Sequence, residues 1–259
     1  MTMATTPSTK GTLYLVPAPL DFGCDEITDL QATLPLGTLQ TAASLRHWVC
    51  ENAKSARAYL KRIHEITPLC CSIQEMQLVE LPREVHKKGD HNGNFDARSL
   101  LQPALDGHAL GLISEAGMPA VADPGSSVVR AAHDLGIRVA PLVGPVSLLL
   151  ALASSGLNGQ NFAFVGYLPQ DPSDRAGRIR ELEALALRSG QTQLFIETPY
   201  RNQAMLQTLL QTLQHNTRLA IGSGLTLPRA QLVSNSVTGW KKAINPLDNA
   251  TPAVFAIGR

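Results

Sequence analysis

Ser114-Glu115-Ala116-Gly117-Met118-Pro119-Ala120-Val121-Ala122-Asp123-Pro124-Gly125 carries more information than any other stretch of this chain. Four apolar positions, Leu110 to Ile113, run into it in the manner of a buried strand, and an amphipathic pattern follows it. The spacing predicts Asp123 as the N-cap of a helix and Pro124 at its first position. Val128, Val129, Ala132 and Leu135 then share a face, and Gly136 stops the helix. Such a connection sits at the carboxyl end of a strand, where open α/β sheets place ligands. It exceeds the ~2–6 residues usual for a strand-to-helix link. Its side chains are small, so backbone groups can approach a ligand closely, and Gly117 tolerates positive φ.

Working outward, 259 residues suit two moderate α/β domains better than one. Hydrophobic residues at 44% and charged residues at 17% describe a soluble globular chain. With 22 Lys and Arg against 21 Asp and Glu, the formal net charge of +1 excludes the strongly basic balance of a general nucleic-acid binder but leaves room for a local basic face. Residues 1–10 read as a loose polar tail with no secretory signal. The most apolar run, Leu142 to Leu157, is broken by Gly144, Pro145, Ser147, Ser154 and Ser155, so no membrane span is expected. Cys24, Cys50, Cys70 and Cys71 form no C-x-x-C pair and have no suitably spaced histidines, so neither a metal site nor a disulfide framework is expected, and a reducing cytoplasm is the default.

Thr12 to Val16 reads as a first buried strand ending at Pro17, with a loop from Ala18 to Asp21. His47 to Cys50 is a second strand, after which Asn52 caps a helix whose Ala56, Tyr59, Leu60 and Ile63 share a face. Met76 to Leu81 is a strand, Arg83 to Gly93 a solvated and locally basic loop, and Asp96 to Leu105 a helix. After Ile137 to Pro141, Val143-Gly144-Pro145-Val146-Ser147 repeats the pattern of a small-residue turn opening a helix, which ends near Gly156. This alternation predicts a mostly parallel N-terminal sheet over residues 11–158. The turn-rich Leu157 to Gln160 separates it from a C-terminal α/β domain over 159–259. There the strands Phe162 to Val165, Gln193 to Ile196, Arg218 to Ile221, Gln231 to Val233 and Pro252 to Ile257 include neighbours with no helix between them, which predicts a mixed sheet. Asp171 to Asp174 caps a helix running to about Arg188, and Pro199 opens another.

G-x-G-x-x-G after the first strand, Walker A, H-E-x-x-H and G-x-S-x-G are all absent, which removes the usual support for dinucleotide, nucleoside triphosphate, zinc-protease and serine-hydrolase chemistry. SEAGMPAVADPG, PLVGPVSLLLALASSGL, FAFVGYLP and LFIETPYRN occur in that order, and over Gly11 to Gly258 the chain resembles the tetrapyrrole-methylase superfamily of S-adenosylmethionine-dependent methyltransferases. It looks most like the branch that methylates ribose 2′-hydroxyls of small-subunit ribosomal RNA. The resemblance implies the class III methyltransferase fold, two α/β domains with the donor in a cleft between them, in a cytoplasmic homodimer with no metal and no membrane.

On this resemblance the donor-binding residues are Pro17, Pro19, Ser114, Glu115, Ala116, Gly117, Pro119, Val121, Gly144, Pro145 and Ser147, with Gly166, Tyr167, Thr251, Pro252 and Ala253. Val121 and Tyr167 are expected beside the adenine. A hydroxyl nucleophile must lose a proton, for which Glu197 and Glu115 are the candidates, and Arg201 is suited to a phosphate. Where the branch has Ser-Asp-Ala-Gly and Glu-Asp-Thr-Arg, this chain has Ser114-Glu115-Ala116-Gly117 and Glu51-Asn52-Ala53-Lys54. RNA contacts are expected at Arg83, Lys87, Lys88, Arg175 and Arg178. A small tetrapyrrole-like acceptor, or a donor-binding regulator without turnover, stays open beside the RNA enzyme.

Overall fold

The computed structural model describes residues 9–88, 90, 95–243 and 246–259. The chain forms two compact units, one from the segments up to Phe22 and Thr28–Pro145, the other from Gly23–Ile27 and Val146–Arg259.

In the first unit β1 (Thr12–Leu15), β2 (His47–Cys50), β3 (Gln77–Glu80), β4 (Leu110–Ile113) and β5 (Arg138–Pro141) lie in the order β3-β2-β4-β1-β5. All pairs are parallel. β4 is central and buried at every residue. Such a sheet needs cover on both faces, and strand alternation supplies two cores. Trp48, Cys50 and Ile113 pack on one side with Leu39, Leu60 and Ile63, while Leu13, Val49 and Leu112 pack on the other with Leu101 and Val128. The covering helices are α1 (Leu30–Thr33), α2 (Leu36–Ala43), α3 (Ala53–His64), α4 (Arg83–Lys88), α5 (Gln102–Leu105) and α6 (Ser126–Asp134). α3 follows its sequence pattern. Asn52 Oδ1 accepts from the N–H groups of Lys54 (2.9 Å) and Ser55 (3.2 Å), and Ala56, Tyr59, Leu60 and Ile63 are the buried face.

Several local expectations change. α6 begins at Ser126, not at Pro124, and Asp123 does not cap it. The cap is Asp90, distant in sequence, whose carboxylate accepts from Gly125 N (3.0 Å), Ser127 N (2.8 Å), Ser127 Oγ (2.5 Å) and Ser126 Oγ (2.8 Å). Burial works against the charge on Asp90, but the bonds from Ser127, Ser126 and Gly125 outweigh it and hold the carboxyl below its ordinary range. Residues 83–88 of the expected basic loop are helical, because Val85 reaches the core. The expected helix over 96–105 is a 3-10 turn, Arg98–Leu101, running into α5. Within the supposed tail, Lys10 is anchored: its ammonium donates to Leu135 O (2.6 Å) at the end of α6, where the helix dipole favours a cation.

The second unit holds β6 (Phe162–Tyr167), β7 (Thr192–Glu197), β8 (Arg218–Ser223), β9 (Gln231–Ser236) and β10 (Ala253–Gly258), in the order β6-β7-β10-β8-β9. β6 and β7 are parallel and the remaining pairs antiparallel, a mixed sheet. Its helices are α7 (Ser147–Ser155), α8 (Pro172–Ser189), α9 (Asn202–Thr212) and α10 (Val237–Lys242). The boundary expected at 158 falls at Pro145 and Val146 instead. Leu148, Ala151 and Leu152 of α7 bury themselves against Leu194, Ala220, Val254 and Ala256 of this second sheet, so the helix belongs to it. Among the described residues no helix is long and apolar enough to cross a membrane.

Replacing Asp90 by Ala leaves the N–H groups of Gly125 and Ser127 without their acceptor, and is expected to cost about 2–3 kcal/mol at pH 7. Because the folded carboxyl titrates below the unfolded one, its contribution is present above about pH 4 and fades as pH falls through the lowered folded value. Denaturant melts at pH 7 and at successively lower pH check this: the two proteins should differ at pH 7 and the gap should narrow as the pH falls below about 4.

Candidate functional site

The end of β4 is joined to the end of β1. Ala18 N donates to Gly117 O (2.9 Å) and Gly117 N donates to Ala18 O (3.0 Å), a reciprocal pair that locks two strand-end loops together. Gly117 holds φ +68°, and a Cβ there would lie 3.1 Å from Leu20 Cδ2 and 3.4 Å from Pro145 O. Ala120 (φ 64°) and Ala122 (φ 65°) also adopt the left-handed region, at about 1–2 kcal/mol each, a strain of the kind ligand loops store. Gly144 answers a different need. A Cβ on it would lie 2.3 Å from the Pro17 ring, so Gly144 and Pro17 are matched by packing.

The strand order explains where a ligand fits. The chain leaves β2 toward β3 at one edge and leaves β4 toward β5 at the other, so β2 and β4 are neighbours whose connections diverge. That switch point opens a crevice beyond their carboxyl ends. A cavity of about 450 Å³ lies there, lined among others by Ala18, Pro19, Asn52, Ser55, Ser114 and Glu115. Ser114 is 6% exposed and its hydroxyl oxygen is buried without a hydrogen-bond partner, as a residue awaiting a ligand would be. Of the expected donor residues, Pro19, Ser114 and Glu115 line this cavity, whereas Val121 is exposed to solvent.

Other lining residues were not singled out from the sequence. Asp21 is buried, accepts Thr28 N (2.8 Å), and pairs through both oxygens with Arg62 (3.0 and 3.3 Å). Tyr59 donates to Pro17 O (2.9 Å), and burial pushes its phenol above the ordinary range. The one available signal was the position of Asn52 at a strand-to-helix junction, because Asp21, Tyr59 and Arg62 otherwise look like ordinary helix and loop residues.

Glu115 accepts from Ser55 Oγ, and its own N–H donates to Glu51 Oε2 (3.4 Å). Asp123, freed from capping, is half-buried near these two carboxylates. Burial first, and then the charges of Glu51 and Glu115, push its carboxyl up to about 7. The loop therefore collects acidic groups from three places in the chain, one of them able to hold a proton at neutral pH. Burial likewise raises the Cys50 thiol to about 12, so Cys50 is no thiolate nucleophile, and none of the four cysteines is in a disulfide. Among the described residues no group of three or more His, Cys, Asp or Glu is placed to hold a metal ion.

The second unit brings together another set. Glu197 ends β7 opposite Ala253 of β10, so the Glu197–Arg201 segment lies beside Thr251-Pro252-Ala253. Asn202 Nδ2 ties the two by donating to Thr251 O (2.8 Å). The Glu197 side chain is 1% exposed, and its Oε1 accepts from Arg201 Nη2 (2.8 Å), Arg201 Nε (3.1 Å) and Thr198 N (2.7 Å). Arg201 also stands 5.4 Å from the centre of the exposed Tyr200 ring. Glu197 thus orients Arg201 through Oε1. Gly166 (φ +74°) and the exposed Tyr167 sit at an irregularity of β6, and Ser147 is the first residue of α7. Of the expected RNA contacts, Arg83 is exposed, Arg175 is buried and Arg178 pairs with Glu181 (3.0 Å). The side chains of Lys87 and Lys88 lie outside the described residues.

A parallel sheet with a switch-point cavity, followed by a mixed sheet, is the architecture of a known enzyme family, and residues 38–239 match the model of the tetrapyrrole (corrin/porphyrin) methylases. The chain belongs to that family. It is 31% identical over 214 residues to the ribosomal RNA small subunit methyltransferase I of Mesorhizobium japonicum, covering 83% of this chain and 63% of that protein. The protein of the same name from Bacillus subtilis is 27% identical over 236 residues, covering 90% of this chain and 71% of the relative. The chain thus spans less than two thirds of the length of the Mesorhizobium protein. Among solved structures, the methyltransferase CobJ superposes with a TM-score of 0.56 at 16% identity, covering 96% of this chain and 94% of that one. A uroporphyrin-III-C-methyltransferase from Thermus thermophilus gives 0.52 at 18% identity, with coverage of 96% and 94%. These two likenesses concern the fold.

Asp123 supplies a pH test. Its folded carboxyl is raised, so the native state holds its proton most firmly relative to the unfolded chain below about pH 4, and loses that advantage as pH rises toward about 7. Asp123→Asn keeps the neutral form at every pH. It is expected to match the wild type near pH 4 and to melt several degrees higher at pH 8, as thermal melts across that range would show.

Proposed function

We propose that this chain is an S-adenosylmethionine-dependent methyltransferase whose acceptor is a ribose 2′-hydroxyl of ribosomal RNA. Family membership and the names of its relatives support the reading, and the loop closing the end of β4 is the observation that carries it. The residues present fit a donor of this kind: a buried Ser114 hydroxyl without a partner, a Gly117 whose positive φ and tight packing against Leu20 and Pro145 fix the loop, and small neighbours. Bound there, the sulfonium donor supplies an activated methyl group for in-line displacement. The Ala18–Gly117 bonds hold the loop rigid, which orients what it binds.

Glu115 lines the cavity and is the proton acceptor in this reading, with Ser55 fixing its carboxylate. Glu197 has the supporting task of holding Arg201, whose guanidinium is suited to a substrate phosphate. Ser147, Gly166, Tyr167, Thr251, Pro252 and Ala253 keep the donor role that the motifs imply. The same reading places the protein in the cytoplasm as a homodimer.

Calorimetry with S-adenosylmethionine, followed by transfer of labelled methyl to RNA from a strain lacking the protein, tests the proposal. At a hundredfold excess over the dissociation constant the donor should stabilise the protein by ~2.7 kcal/mol. Gly117→Val should abolish donor heat while the far-UV circular dichroism stays unchanged, and Glu115→Gln should slow single-turnover transfer at least ~100-fold with donor affinity nearly intact. Label appearing in the small-metabolite pool instead of RNA would assign a tetrapyrrole-like acceptor. Donor heat with no transfer to either would describe a regulator.

A further inference from the structure

Resting on the RNA reading above, we infer that the exposed ridge of α3 carrying Lys54, Arg57 and Lys61 is the track for the phosphates of a single-stranded RNA, which delivers its target nucleoside to the mouth of the neighbouring donor cavity beside Asn52 and Ser55. The chain as a whole is almost neutral, with a net charge of +1, yet residues 52–64 hold Lys54, Arg57, Lys61 and Arg62 and no Asp or Glu. Arg62 is neutralised by Asp21. The other three are exposed and take part in no ion pair among the described residues.

Helical spacing arranges them. Lys54, Ala58 and Arg62 line the cavity at intervals of four, and Arg57 and Lys61 follow Lys54 at three and seven residues, forming the adjacent ridge. From Lys54 to Lys61 the ridge runs about 10 Å along the axis, too long for one anionic group and suited to successive phosphates. Concentrating charge without neutralising partners has a cost that a polyanion relieves through counterion release. Asn52 and Ser55, on the α3 wall of the cavity assigned above to the donor, adjoin the ridge, so a nucleoside presented from the ridge meets the donor at the cavity mouth. Glu115 would repel a phosphate inside it, so the phosphates stay on the ridge and the sugar faces the carboxylate.

The test titrates a fluorescent 20-nucleotide single-stranded RNA into the full-length protein and into Arg57→Gln/Lys61→Gln, neither of which lines the cavity, from 50 to 300 mM KCl, with S-adenosylmethionine calorimetry on both. Losing two phosphate contacts should lower the salt slope by about 1.4 and weaken binding roughly 20-fold at 0.1 M salt. The donor heat of the variant should match the wild type, which also verifies its folding. Lys241→Gln/Lys242→Gln removes the same charge from exposed positions elsewhere and should leave the slope unchanged. An equal fall in that control, an unchanged slope in the α3 variant, or no RNA binding by the wild type would each overturn the inference. Weakened binding of uroporphyrin with RNA binding intact would do so too. Absence of donor heat in the wild type would instead remove the methyltransferase reading beneath it, and a variant lacking that heat is replaced by Lys61→Gln alone, with an expected slope change of about 0.7.

Discussion

Two hydrogen bonds between Ala18 and Gly117 fix the functional end of the first unit. Each closes a backbone donor on a backbone acceptor, so neither loop is free to choose its path independently. Gly117 must then lie in the left-handed region, and Ala120 and Ala122 accept the same conformation without glycine's freedom. The strain is affordable because the segment is pinned at both ends, by fully buried β4 on one side and by the Asp90 cap of α6 on the other. A loop held in this way presents backbone groups in a fixed arrangement, as a site for a small charged ligand requires.

Electrostatics then divide the surroundings of α3. At its N-terminus Asn52 and Glu80 cap the helix, Glu80 Oε1 accepting Ala53 N at 2.7 Å, and Glu115 and Glu51 lie close by. Negative charge belongs at that end of the dipole. Along the exposed ridge the charge is positive, and within the cavity wall the Asp21–Arg62 pair is internally neutral. Acid gathers around the N-terminal end of α3, while Arg57 and Lys61, with no ion pair among the described residues, lie along the exposed ridge. Asp123 fits the acidic group: deprived of its capping role by Asp90, it is surrounded by carboxylates and retains its proton toward neutrality.

The second unit follows the opposite principle at Glu197 and Arg201. Both members are largely shielded and each satisfies the other, so removing either leaves a buried charge alone. That makes the pair a mount for the 3-10 turn Pro199–Arg201 and for the guanidinium it carries. Glu183, buried and bound by Gln214 N (2.7 Å) and Thr217 Oγ1 (2.5 Å), shows the same use of a carboxylate as a structural acceptor.

The sequence by itself determined the alternation of strands and helices, the parallel first sheet and the mixed second sheet, because periodicity and turn chemistry are local properties of the chain. Asn52 was legible as a cap for the same reason. Tertiary structure decided what depends on distant partners. Asp90 displaced Asp123 as the cap of α6 through contacts more than thirty positions away, and the apolar face of α7 chose the second sheet over the first. Burial gave Glu197 to Arg201, withdrew Arg175 from any surface, and joined Asp21, Tyr59 and Arg62 to the wall of a cavity. No local pattern records such pairings, since burial and long-range hydrogen bonding exist only once the strands have taken their order in the sheet.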